Sequence, residues 1–100
     1  MANRDEMQQK LCSELGAEYC IRIIDLEPVI YRDFGNGYNV EISGMCTTSC
    51  RKRATIFLWC GGRYIEKTVY NVSRSDIGDR VEELRVYSEE LVKKSSGVAK

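Results

Sequence analysis

Hydrophobic and polar positions change period twice along this chain, from helical to alternating and back. Met7, Leu11 and Leu15 recur every four residues behind Asn3 and Glu6, a capping pair, and Gly16 supplies a stop. That spacing predicts a short helix over about residues 4–15. "AEYCIRIIDL" and "VIYRDF" are rich in β-branched and aromatic residues, and read as one strand bent near Glu27-Pro28 or as two short ones. "GNG" at 35–37 suits a tight hairpin. "YNVEISG" then alternates, with Tyr38, Val40 and Ile42 on one face and Asn39, Glu41 and Ser43 on the other.

"RATIFLWCGGRYIEKTVYNV" gives two β-rich runs around Gly61-Gly62. If those glycines are the whole loop, Leu58 pairs with Ile65, Ala54 with Val69, and Trp59 with Tyr64. Both faces then carry bulk: one meets the helices, and the other is an aromatic face for more chain or a partner. Behind the capping residues Ser73, Ser75 and Asp76, Ile77, Val81, Leu84, Leu91 and Val92 trace one face of a closing helix. The expected fold is a two-layer α+β domain: helix, antiparallel sheet of three to four strands, helix. It is a single domain over residues 1–100, with a flexible tail from about residue 95.

Charge changes this picture only locally. Fifteen basic and fifteen acidic side chains cancel, which argues against a general polyanion binder. Residues 1–50 nevertheless hold four basic residues against eight carboxylates, and residues 51–74 hold six against Glu66 alone. The run Arg51, Lys52, Arg53 leads into a strand bearing Phe57 and Trp59, which fits either a nucleic-acid contact or a charge-protected edge strand. Helix, three strands and helix is also the order of double-stranded RNA-binding domains. Their second helix opens with lysines, where this chain has Asp76 and Asp79, so that function is excluded.

Histidine is absent, which removes the usual general base, Cys–His nucleophiles and His-containing zinc sites. With Arg51 beside Cys50 as the sole local activator of a thiol, the chain is expected not to be an enzyme. "DFG" at 33–35 lacks every other kinase element, "WCGG" at 59–62 lacks a second redox cysteine, and "NVS" at 71–73 is a sequon with no secretory signal beside it. The first residues lack the apolar core of a signal peptide, and no segment reaches membrane-spanning length. The expectation is a cytoplasmic protein, where structural disulfides are rare.

Five cysteines remain to be explained. "MCTTSC" at 45–50 has the spacing of half a structural zinc site. Cys60 lies roughly 30 Å from Cys50 along a straight strand, at about 3.3 Å per residue. Cys12, Cys20, Cys46 and Cys50 are therefore the candidate ligands, and buried or ordinary free thiols are the alternative.

In size and layout the chain resembles the small inhibitors that phages and mobile elements direct against bacterial defence, particularly anti-CRISPR proteins acting on Cas9. That resemblance implies a non-catalytic inhibitor in a bacterial host cell. It would bind an effector protein and block nucleic-acid loading or a domain movement. Contact candidates are Arg51, Lys52, Arg53, Trp59, Arg63 and Tyr64, with the acidic helix face of Glu82, Glu83, Glu89 and Glu90 as rival surface. A zinc-stapled nucleic-acid-binding module is the second reading, and a redox-sensing thiol protein the third.

Overall fold

The computed structural model describes residues 6–24, 27–44 and 53–98, with side chains over 8–23, 27–44 and 53–94. The cap at Asn3, the whole of "MCTTSC", and Arg51 and Lys52 lie outside the described residues. The elements are α1 (Glu6–Leu15), β1 (Cys20–Ile24), β2 (Glu27–Asp33), β3 (Tyr38–Gly44), β4 (Arg53–Cys60), β5 (Tyr64–Ser73), a 3-10 turn (Arg74–Asp76) and α2 (Ile77–Val98). The strands form one antiparallel sheet in the order β1-β2-β3-β4-β5, each pairing with its neighbour in sequence.

Five strands replace the expected three to four. The difference arises near Glu27-Pro28, where the stretch forms two short strands, the second of the two expected readings, and these pair with each other: Ile24 pairs with Glu27, and Pro28 lies opposite Ile23. This hairpin carries no glycine or asparagine at its turn, so the usual sequence mark of a reversal is missing.

One row of apolar side chains crosses the entire sheet. Ile21 pairs with Ile30, Ile30 with Ile42, Ile42 with Ile56, and Ile56 with Val69. Leu11 from α1 and Ile77, Val81 and Leu84 from α2 complete the same cluster, so both helices cover one face of the sheet. Two polar groups lock them down. Gln8, fully buried, donates through Nε2 to the carbonyls of Pro28 (3.0 Å) and Gly44 (3.2 Å). Ser88, also fully buried, accepts from Asn36 Nδ2 at 3.0 Å and donates to the Arg85 carbonyl at 2.7 Å. Ser88 takes over the buried stripe of α2, whereas Leu91 and Val92 are half-buried. The helix itself runs to Val98, through most of the segment expected to be a tail.

Arg32 ties α2 to β2. Its guanidinium lies over the rings of Tyr19 (5.3 Å) and Phe34 (5.2 Å), and bonds Glu82 at 2.9 Å. Hydrogen bonds from Arg85 and then Arg32 hold the Glu82 carboxyl below its ordinary value.

The β4–β5 hairpin departs from the expected register. Gly61 (φ +58°) and Gly62 (φ +76°) make the turn, closed by Arg63 N–H to the Cys60 carbonyl at 3.0 Å, but Cys60 then pairs with Tyr64. Arg63 is thus a third loop residue. Two further shifts put Leu58 opposite Lys67 and Ala54 opposite Val72. Asn71, at φ +62°, sits in the second irregularity, a conformation that asparagine tolerates better than most residues. Both extra residues fall on β5, an edge strand, where such irregularities obstruct the addition of another chain. Gly44 is conformationally fixed as well: its φ is +94°, and a Cβ there would stand 2.9 Å from the Arg53 carbonyl oxygen.

Candidate functional site

Alternation along β4 divides its side chains between two surroundings. Ala54, Ile56, Leu58 and Cys60 are buried toward the helices, while Arg53, Thr55, Phe57 and Trp59 project from the other face. Among the described residues no element covers that second face. Two cross-strand rows build it. One runs Cys20–Tyr31–Glu41–Phe57–Thr68, and the other Asp33–Asn39–Trp59–Ile65. Ile65 is 43% exposed, and Tyr70, beside the second β5 irregularity, 72%. The Arg22 guanidinium stacks on Tyr31 at 4.4 Å. Trp59 Nε1 is buried and has no acceptor among the described residues. The face therefore carries an aromatic centre with a mixed-charge margin, the composition typical of protein interfaces.

The expected contact residues do not form one patch. Arg53 and Trp59 share the open face. Tyr64, expected opposite Trp59, instead pairs with Cys60 on the helix side, because the turn has the extra residue Arg63. Among the described residues the cations of 53–74 are also dispersed: Arg74 bonds Glu14 at 2.7 Å, and Lys67 lies over the Tyr87 ring at 4.7 Å. On the rival surface, Glu82 is held by Arg32 and Arg85, Glu83 by Arg80, and Glu89 by Arg85. Three of the four carboxylates on that face are thus ion-paired, and Glu90 makes no ion pair among the described residues.

The proposed zinc ligands are half outside the described residues. Cys12 projects from α1 into the margin of the core, and Cys20 is exposed at the start of β1 in the open-face row. Burial, and secondarily the nearby Cys20, push the Cys12 thiol up from its ordinary value. Among the described residues no three cysteine or acidic side chains converge to hold a metal. Those residues do not by themselves fit a zinc centre.

Cys60 is the thiol that the sequence reading set aside as a metal ligand. It is 8% exposed at the glycine turn, with Arg63 Nη2 3.9 Å from its sulfur. A hydrogen bond from Tyr64, with others from Arg63 and Tyr38, holds its pKa below the ordinary thiol value against the opposing effect of burial. The residue that breaks the redox motif in "WCGGR" is thus one of those that favour the thiolate, after Tyr64. Iodoacetamide labelling, followed by peptide mass mapping from neutral to alkaline pH, should modify Cys60 with a lower midpoint than Cys12. Arg63→Ala should raise that midpoint, and identical profiles for the two cysteines would contradict this account.

On the helix side, α1 and β1 flank a groove of about 770 Å³ whose walls include Cys12, Ser13, Ile21 and Ile23. Among the described residues no helix is long and apolar enough to cross a membrane. No protein-family model, curated protein or solved structure matches this chain.

Proposed function

We propose that this chain is a non-catalytic binding protein that docks on another protein through the open face of its sheet and acts by occupying that surface. The observation that carries the reading is the uncovered aromatic centre made by Tyr31, Phe57 and Trp59. Aromatic residues with a neighbouring arginine are the usual anchors of binding energy, and Arg53 stands on the same face. The resemblance to anti-CRISPR proteins makes a Cas9-type effector the target, with nucleic-acid loading or a domain movement as the blocked step. A structural zinc held by Cys12, Cys20, Cys46 and Cys50 is a separable proposal: native mass spectrometry should then show one zinc mass per chain, lost on denaturation.

The reading is tested by calorimetric titration of the purified chain into a Cas9-type effector, with bare single- and double-stranded nucleic acid as parallel titrants. Tight binding to the effector alone, only moderately weakened by salt, is expected. Binding to bare nucleic acid that collapses as salt rises would overturn it, since that slope reports phosphates neutralised.

A further inference from the structure

We propose that the open face contains a pocket for a guanidinium group, the side chain of an arginine on the docked partner. This deepens the docking reading and rests on it. Between the glycine turn at 35–37 and Gly61-Gly62 the face sinks into a depression of about 550 Å³, lined by Arg22, Tyr31, Asp33, Asn39 and Glu41. Its charged groups are two carboxylates against one guanidinium, and that guanidinium is already stacked on Tyr31.

The polar groups of the depression are acceptor-rich. Asp33 uses Oδ1 to accept the Gly35 N–H at 2.9 Å. Glu41 has no ion-pair or hydrogen-bond partner among the described residues. Asn39 is only 9% exposed, and its amide, which has no partner among the described residues, stays open to solvent in the wall of the depression. Cross-strand from Asn39, Trp59 carries a buried N–H without a partner among the described residues.

A guanidinium answers this inventory. It has five donors in a flat fork, and Asp33, Asn39 and Glu41 offer acceptors from adjacent strands. Tyr31 adds a π-surface, and the stacking of Arg22 shows that the ring accepts this group. A phosphate would meet two carboxylates. An ammonium would fill fewer of the acceptors. Access is unhindered, because a Cβ added at Gly35, Gly37 or Gly62 would meet nothing within 4 Å.

The test uses the full chain, labelled with nitrogen-15, and N-acetyl-arginine amide as probe, with N-acetyl-lysine amide as control. Saturable millimolar shifts are expected at the amides of Tyr31, Asp33, Asn39 and Glu41 and at the Trp59 indole. Glu41→Gln should weaken them at least fivefold. Asn39→Val should remove binding while the melting temperature stays close to that of the parent chain. Unsaturable shifts, shifts elsewhere, equal affinity for the lysine amide, or an unaffected Glu41→Gln variant would each overturn the pocket. A chain that binds the effector but not arginine amide loses only the pocket. One that binds arginine amide here but no protein loses the docking reading.

Discussion

Ile42→Ala is expected to lower the unfolding free energy by about 3–4 kcal/mol, the range for removing a large aliphatic side chain from a site that cannot collapse. Ile42 is fully buried on the central strand, flanked by Ile30 and Ile56, which are fully buried as well. Its neighbours are fixed by strand pairing on both sides and roofed by two helices, so little can move into the space. For a chain of this size, whose total stability lies at about 5–15 kcal/mol, that is a large fraction. Urea denaturation should show a lower midpoint with an unchanged slope. Ile23→Ala is the control: Ile23 is 67% exposed on the edge strand, and its loss should change little. A cost below about 1 kcal/mol at Ile42 would mean that the isoleucine row is not the centre of the core.

Trp59→Ala and Phe57→Ala should each weaken effector binding by about 30-fold or more, near the 2 kcal/mol expected of an interface anchor. Both side chains are half-buried on the open face of β4, away from the helices, so the fold should survive their truncation. For Trp59 the cost to stability is further reduced, because the variant also removes a buried N–H without an acceptor. Calorimetric titration of each variant, with circular dichroism to confirm the fold, separates affinity from folding. Unchanged affinity in both would move the docking surface to α2. There Glu90, which makes no ion pair among the described residues, would be the residue to reverse next.

The central part of the fold was readable from local pattern because β3, β4 and α2 each bury one face only. Val40 and Ile42 against Glu41 and Ser43 give an alternation that burial reproduces, with Asn39 buried as the exception, and Ile77, Val81 and Leu84 follow helical spacing into the core. What escaped were features without a local mark. The β1–β2 reversal has no glycine, and the irregularities of β5 depend on how far Arg63 extends the turn. Gln8 is polar and has no role in the sequence pattern, yet it is buried against carbonyls of β2 and β3, since only the three-dimensional fold brings Pro28 and Gly44 to it. At the candidate site, Trp59 and Arg53 could be selected by residue type. Asn39 and Glu41 gained meaning only when the sheet placed them beside Trp59 and Tyr31.

The meander order of the sheet bears on how the chain acquires its structure. Every strand's partner is the segment just before it, so successive hairpins can form as the polypeptide emerges from the ribosome, each closing a short loop. The sheet asks for no distant strand to return. Contacts of long sequence span are left to the helices, with α1 reaching Gly44 through Gln8 and α2 reaching the β2–β3 turn through Ser88. Low average separation between contacting residues favours rapid folding.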